Sequence, residues 1–196
     1  MIYELRTTQL HSGKVVDYEK RLEAALAERA SGDGRLAGAW HTEIGPLNQV
    51  LELWSYADGV EPTGGLGVLG DSSLVLSTTV ERLEAAPFSD TPDGSERKLG
   101  PIYELRIYQI RAGDMQKMID IWAPKIPARV KLSPMVGCWY TAFSRWFHLW
   151  AYPDLNTRTS TRAEAVRQGI WPPPSGALTI LQENRILLPA SFSPLQ

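Results

Sequence analysis

Apolar and polar residues alternate with period two over Ile2–Leu10 and again over Ile102–Ile110, which predicts two strands. After the first, Val15, Tyr18, Leu22 and Leu26 recur at helical spacing and predict a helix over Lys14–Ala30. Its counterpart opens at Asp114, a residue type suited to an N-cap, and carries Met115, Met118, Ile119 and Trp122. Pro124 and Pro127 are expected to end or kink that helix. Two strands follow in each stretch, Leu36–Thr42 and Gln49–Tyr56, then Val136–Phe143 and Trp146–Tyr152. Their turns fall at Gly45-Pro46-Leu47-Asn48 and Ser144-Arg145. A second helix, about Thr157–Gln168, is predicted in the later stretch only. Strands over Leu74–Leu83 and Leu178–Leu188 close the two.

The two stretches are copies. Residues 2–13, IYELRTTQLHSG, and 102–113, IYELRIYQIRAG, agree at seven of twelve positions. Gly38-Ala39-Trp40 is answered by Gly137-Cys138-Trp139, and Leu53-Trp54-Ser55-Tyr56 by Leu149-Trp150-Ala151-Tyr152. Self-similarity at a fixed offset marks a duplicated structural unit. The order β-α-β-β-α-β is that of a ferredoxin-like split βαβ domain, whose four-stranded sheet has helices on one face. Strands that are apolar or aromatic on both faces need the other face covered too. The expected fold is therefore α+β, with two tandem ferredoxin-like (βαββαβ) halves forming an internal pseudo-dimeric α/β barrel. The halves are placed at residues 1–88 and 101–196, joined by a polar linker at 89–100. In the first half the glycine-rich segment 58–71 replaces the second helix, either as a shortened loop or as a lid over a cleft.

Composition excludes several functions. Lys plus Arg is 20 and Asp plus Glu is 22, a net charge of −2 with no basic block, so nothing marks the chain for nucleic acid. No apolar run approaches the ~20 residues of a membrane helix. Cys138 is the one cysteine, which rules out an internal disulfide, and it is expected to be a buried, inert thiol. His11, His41 and His148 lack HxH or HExxH spacing, so no metal site is expected. Neither a Walker loop, nor GxSxG, nor a dinucleotide GxGxxG stands in its proper context, and no cofactor is expected. The alternation begins at Ile2 with no signal-like segment ahead of it, which gives a cytoplasmic expectation.

Strand alternation sorts the candidate chemistry onto faces. Glu104, Arg106 and Tyr108 share one face of their strand, echoed by Glu4 and Arg6 in the first copy. Such a pair is either a structural ion pair or an Arg that anchors an anionic or carbonyl group. Trp146, His148, Trp150 and Tyr152 share a face whose aromatic bodies and polar tips suit a cavity wall. Phe147, Leu149 and Ala151 are wholly apolar and suit the layer beneath the helices. The matching face of the first copy carries Val50, Glu52, Trp54 and Tyr56, so Glu52 stands where His148 does. A carboxylate and an imidazole at pseudo-symmetric positions of one cavity suit proton transfer near neutral pH. His41, opposite Tyr140 in the repeat, is a further polar candidate.

His148-Leu149-Trp150-Ala151-Tyr152-Pro153-Asp154-Leu155, followed by Arg158, resembles the HLWxYxDLxxR core of the NIPSNAP family. The IYELR openings, Arg162 and the closing Ser193-Pro194-Leu195-Gln196 resemble that family too. The first copy has Glu52 in place of the histidine and lacks the DLxxR helix. Any family role for that His and those Args therefore carries only to His148, Arg158 and Arg162. The resemblance implies the dimeric α/β-barrel fold. The family is linked to vesicular and mitochondrial roles in animals, and the wider barrel superfamily includes cofactor-free oxygenases, isomerases and other small-molecule enzymes.

Together these readings predict a NIPSNAP-like, cofactor-independent enzyme acting on a small apolar or aromatic molecule in the barrel cavity. Acid/base chemistry (isomerisation, cyclisation or elimination) is favoured over oxygenation. His148 is assigned as general acid/base, Glu52 as its partner and Arg106 as the holder of a polar substrate group. Trp146, Trp150, Tyr152, Trp54, Tyr108, Glu104 and His41 are assigned to the substrate wall. The alternative is a non-catalytic ligand-binding or protein-interaction module. A homodimer is compatible with this fold but not required, since the pseudo-dimer is internal.

Overall fold

The computed structural model describes residues 1–28, 34–57, 60 and 70–196. The first copy supplies β1 (Ile2–Leu10), α1 (Val15–Ala27), β2 (Arg35–Ile44), β3 (Gln49–Tyr56) and β4 (Val75–Ala85). The second supplies β5 (Ile102–Ile110), α2 (Met115–Trp122), α3 (Ile126–Arg129), β6 (Met135–Tyr140), β7 (Arg145–Tyr152), α4 (Leu155–Arg167) and β8 (Thr179–Pro189). The fold is α+β with antiparallel ladders: β1 pairs with β3 and β4 and β2 with β3 in the first copy, and β7 pairs with β5 and β6 in the second. The lid or degenerate loop expected at 58–71 lies outside the described residues, apart from Val60, Gly70 and Asp71.

Local chemistry sets where the elements stop. Pro124 and Pro127 break the helix as expected: α2 ends at Trp122, a 3₁₀ turn spans Ala123–Lys125, and α3 follows. Asp114 occupies the N-cap position of α2, but its carboxylate takes Lys117 at 2.7 Å instead of a backbone N–H. Asp154 is a true cap, accepting the Thr157 N–H at 2.7 Å, so α4 begins earlier than the sequence pattern suggests. The strand expected to reach Phe143 stops at Tyr140, because Thr141 Oγ1 accepts the Phe143 and Arg145 N–H groups and closes a turn. Ser144 takes φ +60° there, and Asn48 takes φ +56° in the matching turn. The repeated Gly-x-Trp also has a steric basis. The indoles of Trp40 and Trp139 fold onto Gly38 and Gly137, two residues earlier on the same strand, where a Cβ would collide with ring carbons.

Two compact units make up the chain. One comprises Met1–Leu83, Pro92–Lys98 and Leu187–Gln196; the other comprises Glu84–Thr91 and Leu99–Ile186. Each therefore includes the end of the other copy's last strand. In the first unit, Ala190 N–H donates to the Ala39 carbonyl, and Ser193 Oγ accepts the Ala39 N–H. In the second, Glu84 and Ala85 of β4 pair with Tyr140 and Trp139 of β6.

Each unit buries a helix against one face of its strands. In the first, Tyr18 and Leu22 of α1 pack on Leu10, Val50 and Leu74. In the second, Met118, Ile119 and Trp122 of α2 and Ala165 of α4 pack on Tyr108, Ile110, Trp146 and Trp150.

Candidate active site

These packing partners correct one expectation. The face carrying Trp146, His148, Trp150 and Tyr152 is the one beneath the helices, not an open cavity wall. Aromatic rings with polar tips are bulky enough to fill the sheet–helix layer, and Trp122 from α2 and Trp171 meet them edge-on. Phe147, Leu149 and Ala151 occupy the opposite face and are buried as well.

The two halves treat the matched positions Glu52 and His148 differently. In the first half Glu52 is buried, and its carboxylate accepts Tyr18 Oη–H at 2.9 Å and Trp54 Nε1–H at 2.9 Å. Burial, and then the neighbouring Glu52 charge, raise the Tyr18 pKa, so Tyr18 remains a donor. Arg6 pairs with Glu4 at 3.0 Å, and Tyr56 Oη lies within 3.1 Å of both. His41 reaches α1, with Nδ1 2.9 Å from Glu19, and this hydrogen bond raises its pKa. Tyr18, the Glu52–Trp54 pair itself and Glu19 are partners from the first half.

In the second half Arg106 stands directly opposite His148 in the β5–β7 ladder, and Glu104 stands opposite Trp150. His148 is 0% exposed. Its ring centroid lies 4.7 Å from that of Trp122 and 5.0 Å from that of Tyr108. Trp150 Nε1–H donates to His148 Nδ1 at 2.6 Å. An indole N–H can only donate, so Nδ1 must carry the lone pair and the proton of the neutral ring sits on Nε2. That Nε2–H is buried and has no hydrogen-bond partner among the described residues. Burial, and then the charges of Arg106, Arg162 and Arg129, hold the imidazole pKa well below its usual value. The ring is thus a neutral donor, and while Trp150 occupies Nδ1 it has no lone pair free to act as a base.

Glu104, also fully buried, gathers three cations. Arg158 reaches it at 2.5 Å, Arg106 at 3.3 Å and Arg162 at 3.8 Å. Arg106 Nε also donates to Tyr108 Oη at 2.9 Å. Arg129 is a fourth cation, buried among aromatics: it donates to Ser133 Oγ and Tyr152 Oη, and its guanidinium lies 4.2 Å from the Trp150 ring centroid. Sequence reasoning missed Arg129, Trp122 and Trp171 as neighbours of His148, because nothing in their local pattern links the broken helix to β7. Arg158 and Arg162 were visible only through the family motif. Among the described residues, no group of three or more His, Cys, Asp or Glu could hold a metal ion, and no helix is long and apolar enough to cross a membrane.

A family model described as NIPSNAP matches residues 3–61 and 103–194. The chain is 32% identical over 180 residues to human Protein NipSnap homolog 2, a match covering 82% of this chain and 62% of that protein. It is 26% identical over 218 residues to Protein NipSnap of Drosophila melanogaster, covering all of this chain and 79% of the fly protein. The chain thus spans less than two thirds of the length of the human relative. In fold it is similar to the crystal structure of a proposed monooxygenase from Lactobacillus acidophilus, with a TM-score of 0.68 at 9% identity over 97% of this chain and 94% of the other.

Proposed function

The chain belongs to the NIPSNAP family, and we propose that this member is a small-molecule enzyme whose acid/base chemistry (isomerisation, cyclisation or elimination) is centred on His148 in the second half. The observation that carries the reading is a buried, neutral imidazole whose Nε2–H lacks an acceptor beside Arg106. A fixed N–H donor in an apolar surround stabilises negative charge developing on a substrate oxygen, so that the neighbouring C–H gives its proton more readily to solvent water or hydroxide, the oxygen taking its hydrogen bond from Nε2–H. Arg106 holds the polar group of a small apolar or aromatic substrate, while Trp146, Trp150 and Tyr108 back His148 from the packed layer beneath the helices. Tyr152 and Glu104 hold Arg129 and Arg106 in place. In this reading Glu52, Trp54 and His41 hold the first half together and take no part in turnover.

Proton exchange tests the proposal without a known substrate. A panel of small aryl ketones and enones is incubated with the protein in D₂O, and loss of the proton next to the carbonyl is followed by NMR. At least one compound should exchange faster than in buffer, and His148→Ala should slow that exchange by about 10²-fold or more. No exchange above buffer, or an unchanged rate in the variant, overturns the proposal. The full burial of His148 and its aromatic neighbours favours a second reading, a closed, non-catalytic binding module, which predicts the first of those negative results.

A further inference from the structure

The charge count around Glu104 points to a ligand that the acid/base reading does not name. Three guanidinium groups converge on one carboxylate, leaving an excess of two positive charges in a half-buried place. The first half shows the balanced version, in which Arg6 pairs with Glu4. Arg158 and Arg162 lie one turn apart on α4, where like charges repel. The Arg158 Nε is buried without a hydrogen-bond partner among the described residues. Arg162 makes no hydrogen bond among the described residues, and its one ion pair is the 3.8 Å approach to Glu104. Burial, and then Arg106 and Arg158, push its pKa down against the pull of Glu104. The partnerless His148 Nε2–H adds a buried donor next to Arg106. The Arg158 and Arg162 side chains are 20% and 33% exposed.

We propose that Arg106, Arg158 and Arg162 form a binding site for a compact dianion, a phosphate group, organised by Glu104. Glu104 holds Arg106 and Arg158 by their donors and so aligns the cluster, while the unmatched charge and the idle donors of Arg162 meet the ligand. Guanidinium forks suit the oxygens of a phosphate, and two negative charges match the excess. The site shares Arg106 with the proposed chemistry but does not depend on turnover.

Binding is followed by tryptophan fluorescence and by thermal melting as inorganic phosphate is added, with sodium chloride at matched ionic strength as the control. Saturable binding with a Kd at or below about 1 mM is expected. Arg162→Gln should weaken it by about tenfold or more. Arg162→Gln removes a charge that makes one long contact, so it should fold; Arg158→Gln is the second variant. Lys117→Gln, an exposed position paired only with Asp114, should bind as the unaltered protein does. Phenyl phosphate binding several-fold tighter than inorganic phosphate identifies a phosphate monoester as the source, and equal binding identifies free phosphate. The proposal is overturned if phosphate acts no differently from chloride, or if Arg162→Gln binds phosphate like the unaltered protein. Phosphate binding without proton exchange would sink the catalytic reading alone, and exchange without phosphate binding would sink this one alone.

Discussion

Acid should unfold this protein partly through His148. The imidazole is buried, its native pKa is held well below the usual value, and Nδ1 is occupied by the Trp150 N–H. In the unfolded chain it titrates near 6.5. A native pKa below the unfolded one means that the unfolded state takes the proton first as pH falls. Stability present above the unfolded pKa is therefore lost below it. Between about pH 7.5 and about pH 5.5 this linkage removes about 1.4 kcal/mol, provided the native ring stays neutral over that interval. His41 works in the opposite sense. Its hydrogen bond to Glu19 raises its pKa, so its contribution is complete below the unfolded pKa and is lost as pH rises through the folded one. A difference measurement separates the two. His148→Asn keeps an acceptor oxygen near the position of Nδ1 but cannot titrate. Urea unfolding is followed by tryptophan fluorescence for both proteins at the two pH values. The stability advantage of the unaltered protein over the variant should shrink by about 1.4 kcal/mol on acidification, with His41 cancelling. An advantage that stays constant within about 0.3 kcal/mol means that His148 titrates alike folded and unfolded, and the neutral-donor argument fails.

Two further results follow from packing. Gly137→Ala should lose about 1–3 kcal/mol and lower the Tm, because the new Cβ would collide with the Trp139 indole; Gly176→Ala, with nothing within 4 Å, is its neutral control. Equal Tm values for the two variants would refute the steric reading of Gly-x-Trp. Tyr18→Phe removes a 2.9 Å donor from buried Glu52 and should cost about 1–3 kcal/mol in urea unfolding, whereas no loss would show that the Tyr18 hydroxyl does not stabilise Glu52.

The repeat made most of the fold legible. IYELR twice, Gly-x-Trp twice and Leu-Trp-x-Tyr twice fixed eight strands and their order, because strand period and turn chemistry are local properties. Pro124 and Pro127 broke the second copy's first helix as their chemistry requires. Faces were harder. Alternation correctly put Trp146, His148 and Trp150 together, but not which side they took, since both faces of β7 are buried and both carry aromatic rings. Element ends depended on single side-chain bonds, at Asp154 for the start of α4 and at Thr141 for the end of β6, which a periodic pattern does not contain. Arg129 was invisible for a different reason: its partners Tyr152 and Trp150 are distant in sequence, and a buried arginine looks like any other in a polar stretch.

The duplication itself supports placing chemistry in the second half. In both copies a tryptophan two residues along the strand donates its indole N–H to the position in question, Trp54 to Glu52 and Trp150 to His148. The first copy then completes the site: Tyr18 donates to the same carboxylate, and Arg6 has Glu4. The second copy places Met118 where Tyr18 would be, so the imidazole keeps an unmatched N–H. It also adds Arg158 and Arg162 on a helix that the family motif marks in this copy alone. An unmatched buried donor and an excess of buried charge both cost stability. Residues that weaken a fold without being needed to build it are where selection for a ligand leaves its trace.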